Sequence, residues 1–196
     1  DLTSLVLSGS PTGYTFASDT YTYGSVAVAN GVESITVTPT GTGTITVNET
    51  EVASGSASGA IALTAGTPTT ITVVATETGK SPKTYTITVT RALTPQATPT
   101  FNPPAGAIAF GTTVIITSEG ADAIYYTTDG TDPTTESTNQ ATTPLVISEA
   151  VTVKAIAVKT GMANSEIGTA AYTQAATADL TSLVLSGSPT GYTFAS

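Results

Sequence analysis

The sequence predicts an all-β protein made of two small β-sandwich domains in tandem, followed by the first strand of a repeated copy. Three observations lead to this fold class. Polar and apolar residues alternate over many short runs, and turn-forming residues separate these runs. No window shows the roughly 3.6-residue apolar spacing of an amphipathic helix. Residues 179–196 also repeat residues 1–18 without a mismatch.

The alternating runs place threonine on one side of a predicted strand and isoleucine or valine on the other. Both kinds of side chain are β-branched, and successive residues of a strand face opposite sides. Such a strand buries its aliphatic face and exposes its threonine face to water. The predicted strands include residues 34–38, 44–47, 70–73, 84–89 and 151–155.

Turn signals and prolines divide the chain into its predicted parts. Pairs such as Asn30-Gly31 and Asp129-Gly130 favour tight turns, and short strands at close spacing are typical of β-sandwiches. Residues 92–98, with Pro95 inside and Pro99 directly after, predict an extended, semi-stiff linker. The predicted organisation is a first domain over residues 1–91, the linker over 92–98, a second domain over 99–173, a second linker over 174–178 and the start of the next repeat over 179–196.

The duplicated segment sets a period of 178 residues, the offset between positions 1 and 179. One interpretation is an array of tandem repeats in which the next copy has just begun. A second is that the strand predicted at residues 180–185 pairs with a neighbouring molecule by strand exchange. An artificially added tail is the third.

The composition excludes most catalytic chemistry. The chain has no His, no Cys and no Trp. Without His, no side chain titrates near neutrality to activate a serine or cysteine nucleophile. The usual zinc, copper, haem and iron–sulfur ligands are also missing, so only all-oxygen calcium or magnesium sites remain. We therefore expect no enzyme activity and no cofactor, apart from calcium.

The charge balance argues against nucleic acid and against anionic lipid as partners. Charged residues make up 10% of the chain, and the net charge is −9 with only five basic residues. A nucleic-acid binder needs clustered Lys and Arg to neutralise phosphates. No apolar run is long enough for a membrane span in this segment. A surface of Thr, Ser and Gly favours a secreted, extracellular or cell-surface protein.

Residues 1–91 resemble the bacterial cadherin-like β-sandwich domain, which implies an immunoglobulin-like fold. The resemblance rests on Leu2-x-x-Leu5-x-Leu7-Ser8-Gly9, Phe16, Tyr21-x-Tyr23, residues 45–55, Ile61-x-Leu63-x-x-Gly66 and the closing residues 85–91. The family usually has Asn-Gly in its middle hairpin. This chain has Asn48-Glu49 there, so a different turn is expected.

Residues 99–173 resemble the chitobiase/β-hexosaminidase C-terminal-like domain. The marks are Pro99-x-Phe101-x-Pro103, Gly111-x-x-Val114, residues 124–134, residues 153–157 and Tyr172. This family is a non-catalytic accessory sandwich, so the resemblance implies no hydrolase activity. Both families recur in large bacterial surface and secreted proteins, as spacers, adhesive modules or accessories to enzymes.

Three carboxylates form the candidate metal site. Asp129, Asp132 and Glu136 offer oxygens of the kind that calcium prefers, although they supply only part of a coordination shell. The alternative is a hairpin turn in which Asp and Gly serve the backbone geometry.

Asn48 begins the triplet Asn48-Glu49-Thr50, which fits the pattern for N-linked glycosylation. The tyrosines offer a further candidate site, since aromatic rings can stack on sugars. The alternative places each ring in the core and lets its hydroxyl reach a partner at the rim. The residues concerned are Tyr14, Tyr21, Tyr23, Tyr125 and Tyr126.

The expected function is structural. The sequence favours a repeat unit of an extracellular bacterial stalk or filament, with copies of itself as partners through residues 1–18 and 179–196. The alternative function is an adhesin or a carbohydrate-binding accessory module with glycans as partners, which rests on the second resemblance.

Overall fold

The computed structural model describes residues 1–137 and 141–176. In this part of the chain every regular element is a β-strand, as the alternation predicts. The strands are β1 (Leu2–Leu7), β2 (Thr22–Val28), β3 (Ser34–Ile35), β4 (Val37–Gly41), β5 (Thr44–Val47), β6 (Thr50–Glu51), β7 (Ile61–Ala62), β8 (Pro68–Thr76), β9 (Lys83–Arg91), β10 (Thr100–Asn102), β11 (Gly106–Ile108), β12 (Thr112–Thr117), β13 (Ala123–Thr127), β14 (Leu145–Ile147), β15 (Val151–Val158) and β16 (Gly168–Gln174). The predicted start of the next repeat, residues 179–196, lies outside the described residues.

The first nine strands surround one hydrophobic core. A five-stranded sheet has the order β2-β9-β8-β5-β6, and β1-β4 and β3-β7 form two further ladders. In β9 the side chains of Tyr85, Ile87 and Val89 have no exposed surface, whereas the threonines between them are partly exposed. The predicted alternation of apolar and polar faces is therefore present.

One predicted strand divides between two ladders. Ser34 and Ile35 pair with β7, whereas Val37 begins the pairing with β1. Thr36 belongs to neither ladder, because its backbone N–H and carbonyl both form hydrogen bonds with Ser8. The Thr36 N–H donates to Ser8 Oγ at 2.8 Å, and the Ser8 N–H donates to the Thr36 carbonyl at 3.0 Å.

The remaining strands form a second sandwich with its own core. A three-stranded sheet, β10-β12-β14, faces a four-stranded sheet, β11-β16-β15-β13. Val114, Val153, Ala155 and Tyr172 are almost fully buried in this core. The predicted strand at residues 151–155 is the first part of β15.

Residues 92–98, the interdomain segment, are bonded to the domains on both sides. The Ala92 N–H donates to the Val28 carbonyl at 3.0 Å. Leu93 packs so closely against Gly66 that a Cβ atom added to Gly66 would lie only 2.7 Å from Leu93 Cδ2. Thr94 accepts a bond from the Ala163 N–H at 3.0 Å, and the Gln96 N–H returns one to the Ala163 carbonyl at 2.9 Å. Consecutive residues, Leu93 and Thr94, thus contact different domains.

Candidate functional site

β1 is the element that the duplicated segment encodes, and it is built into the first core. It pairs antiparallel with β4, with Leu5 opposite Pro39 and Leu7 opposite Val37. Leu2, Leu5 and Leu7 are 1%, 1% and 6% exposed. At the start of the strand, the Leu2 N–H donates to the hydroxyl of buried Tyr85 at 3.2 Å. We call the surface of β4 (Val37–Gly41) and Tyr85 that receives this strand the β1 slot.

The residues that follow β1 fasten it in place. The Tyr14 hydroxyl donates to the Leu5 carbonyl at 2.7 Å, and the Tyr14 ring lies edge-on to Tyr23 at 5.0 Å. Burial, with the nearby Tyr23 hydroxyl, raises the pKa of Tyr14, so its hydroxyl keeps the proton that it donates. The Phe16 ring packs 6.1 Å from that of Tyr85. Segment 1–18 is therefore one docked unit.

The three candidate calcium ligands are held by different partners. Asp129 Oδ1 accepts bonds from the Thr131 hydroxyl at 2.6 Å and the Thr131 N–H at 3.0 Å, and these bonds lower the pKa of Asp129. Asp132 pairs with Lys154 at 2.7 Å. Asp129 and Glu136 line one open cleft of about 340 Å³, and Asp132 is not among its lining residues.

The described residues contain no group of three acidic side chains placed to hold one metal ion. The hairpin-turn alternative accounts for the geometry of Asp129, since its carboxylate caps the turn that leads to Thr131. Calcium binding at Asp129, Asp132 and Glu136 stays a prediction. Two of these three residues, Asp129 and Glu136, line the same cleft.

Asn48, the candidate glycosylation residue, is exposed in the hairpin between β5 and β6. Its Oδ1 accepts a bond from the Thr72 N–H at 2.9 Å. Asn48 and Glu49 have φ values of +45° and +66°, which is the backbone of a type I′ turn. The expected difference in turn is therefore absent: the hairpin geometry that Asn-Gly favours is kept, with Glu in the position of the Gly. Glycosylation at Asn48 stays a prediction.

The tyrosines separate into two groups. Tyr14, Tyr21, Tyr23 and Tyr126 pack against the two cores, as the rim alternative expects. Tyr125 lies on the opposite face of β13 from Tyr126, where its register partner is Ile156 of β15. On the same face, Thr127 is paired with Lys154. Of these five tyrosines, Tyr125 is thus the one whose side chain lies on the outer face of its sheet.

Sequence reasoning missed the most buried polar side chain of the interdomain segment. Gln96 is 4% exposed, and its Nε2 donates to the Glu119 carbonyl at 2.6 Å and to Ser118 Oγ at 3.1 Å. Nothing in the sequence marks Gln96, because its partners come from a loop more than twenty residues away. Its role depends on tertiary contacts alone.

No helix in the described part of the chain is long and apolar enough to cross a bilayer. Residues 2–92 match the family described as "Cadherin-like beta sandwich domain", and residues 103–169 match the family described as "Chitobiase/beta-hexosaminidase C-terminal domain". No curated protein matches the chain. Both matched families are non-catalytic accessory sandwiches, consistent with a surface or carbohydrate-associated module. A cadherin-like β-sandwich domain at residues 2–92 is therefore followed by a chitobiase/β-hexosaminidase C-terminal domain at residues 103–169.

Proposed function

We infer that the chain is the structural repeat unit of an extracellular bacterial surface stalk or filament, in which β-sandwich domains are joined end to end. The observation that carries this proposal is the docking of segment 1–18. Its leucines belong to the core of the cadherin-like domain, and residues 179–196 repeat every one of them. A second copy of this segment therefore encodes the start of a second such domain.

The junction between the two domains supports a mechanical role. Because Leu93 contacts the first domain and Thr94 bonds to the second, little slack separates the two sandwiches. A short, bonded junction transmits force and orientation better than a flexible linker does. The threonine-rich outer faces suit an extracellular location, since they stay soluble with only 10% charged residues.

Electron microscopy of the protein as produced by its source cells tests this proposal. We expect long, unbranched particles whose axial repeat equals two sandwiches placed end to end. Dispersed single particles, together with a parent gene that encodes only one copy of the 178-residue unit, would contradict it.

A second function, an adhesin or carbohydrate-binding accessory module, is favoured by Tyr125. An aromatic side chain on the outer face of its sheet, in the strand next to Lys154, which pairs with Asp132, suits the stacking and hydrogen bonding of a sugar. A pull-down with insoluble polysaccharides tests it. Saturable binding that Tyr125→Ala abolishes and Ile115→Ala, on the other sheet, leaves unchanged would support this function.

A further inference from the structure

Segment 1–18 supplies at least one side of each contact that holds β1. Three leucines enter the core, the Leu2 N–H meets Tyr85, and Tyr14 returns a bond to Leu5. The donors of both bonds lie within segment 1–18, and residues 179–196 supply the same side chains in the same order. Any copy of the segment that reaches an empty β1 slot therefore makes the same contacts.

β1 lies outside the main sheet of its domain. It belongs to a two-stranded ladder with β4, whereas the five-stranded sheet is complete without it. Residues 19–21 connect segment 1–18 to β2, and the segment carries both its strand and the Tyr14 hydroxyl that fastens it, so it can be exchanged as one unit. Exchange of an identical element between copies is a low-cost route to assembly.

We propose that copies of this chain join through the β1 slot, with residues 179–196 of one copy occupying the slot of another in place of that copy's own β1. The proposal rests on the structural function inferred above and names its partner, a second copy of this chain. Segment 1–18 and its duplicate compete for the same surface, and the exchange is heterologous, so it propagates head to tail.

Connectivity decides which copy occupies the slot. The two segments are identical, so the contacts themselves give no preference. The chain's own β1 is tethered, with an effective concentration on the order of millimolar. At a micromolar protein concentration, chains whose slot holds their own β1 therefore outnumber chains whose slot holds the duplicate from another copy by roughly a thousandfold. Exchange becomes dominant when copies are crowded or when the tethered segment is weakened.

Substitutions in the two copies provide matched variants of the full chain. Leu5→Asp with Leu7→Asp places carboxylates at buried positions and weakens the tethered segment, while its duplicate stays intact. We expect this variant to form head-to-tail oligomers that grow with concentration in sedimentation velocity. Leu183→Asp with Leu185→Asp makes the same change in the duplicate, and that variant should remain monomeric. With all four substitutions, specific assembly should be lost.

A crosslink identifies the contact, because the chain contains no cysteine of its own. Val6 lies opposite Thr38 and is 55% exposed, so its counterpart Val184 should take the same place in an exchanged dimer. In the Leu5→Asp/Leu7→Asp background, Thr38→Cys with Val184→Cys should crosslink between chains through a short thiol reagent. In the otherwise unsubstituted chain, Thr38→Cys with Val6→Cys should crosslink within one chain.

Monomers, or aggregates without the crosslink between positions 38 and 184, would overturn the proposal. That result would leave the stalk intact as a covalent array, because tandem repeats need no exchange. Conversely, crosslinked oligomers in vitro without fibres at the cell surface would support strand exchange and contradict the proposed stalk or filament function.

Discussion

Single residues decide how firmly the first domain closes over β1. Tyr85 combines a ring without exposed surface with a hydroxyl that accepts the Leu2 N–H, and Phe16 and Tyr21 pack beside it. A buried backbone N–H needs an acceptor, since leaving it unpaired lowers the free energy of unfolding. The hydroxyl of Tyr85 therefore contributes to stability separately from its ring.

Tyr85→Phe tests that hydroxyl. The substitution keeps the ring and removes the acceptor, so we expect the free energy of unfolding to fall by about 1–2 kcal/mol. Urea unfolding of the full chain measures it, and Tyr125→Phe removes the same atom from the second domain as a control. An unchanged midpoint for Tyr85→Phe would show that Leu2 finds another acceptor.

Glu49 carries backbone strain at the β5–β6 turn. Its φ of +66° is a conformation that glycine adopts readily and that L side chains resist. Glu49→Gly should therefore raise the free energy of unfolding by about 0.5–1 kcal/mol, after the extra freedom of glycine in the unfolded chain is subtracted. Glu49→Ala removes the carboxylate and keeps the strain, so a similar gain from Ala would point to charge instead.

At the scale of elements, the interdomain segment behaves as part of both domains. It carries the bonds of Ala92, Thr94 and Gln96, and Ser118 Oγ also donates to the Ala97 carbonyl at 2.6 Å. Short stretches with such partners resist local opening. We therefore expect any relative motion of the two sandwiches to be concentrated at the Leu93–Thr94 step.

Gln96→Ala should loosen this junction. The change leaves the Glu119 carbonyl without its side-chain donor, at a cost of about 1–3 kcal/mol to the second domain. Backbone ¹⁵N relaxation should then show the two domains tumbling more independently than in the native chain. Gln174→Ala, at an exposed glutamine, is the control, and equal tumbling in all three proteins would contradict a role for Gln96.

At the scale of the whole molecule, the order of tryptic cleavage reports on the junction. Lys80 lies in a turn with its side chain 65% exposed, whereas the Arg91 side chain is 19% exposed and its Nε donates to the Asn30 carbonyl at 2.7 Å. Limited digestion followed by mass spectrometry should detect cleavage after Lys80 before cleavage after Arg91. Early release of fragments 1–91 and 92–196 would mean that the interdomain segment is loose.

Much of the architecture follows from local patterns. Alternation at residues 44–47 predicts β5, and the run at 84–89 lies within β9, because period-two burial requires only neighbouring residues. The candidate metal site was harder to predict. Asp129, Asp132 and Glu136 share a short stretch of sequence, but a turn and Lys154 direct Asp129 and Asp132 to different partners.

The sequence by itself determined the all-β class, the order of the two domains and the presence of a duplicated strand segment, since alternation, family motifs and repetition are local properties. Only the tertiary structure decided that Thr36 separates two ladders, that Gln96 fastens the interdomain segment, and that Tyr125 faces outward while Tyr126 faces the core. Each of these features depends on contacts between residues that are distant in the chain, and such contacts form only when the sheets pack together.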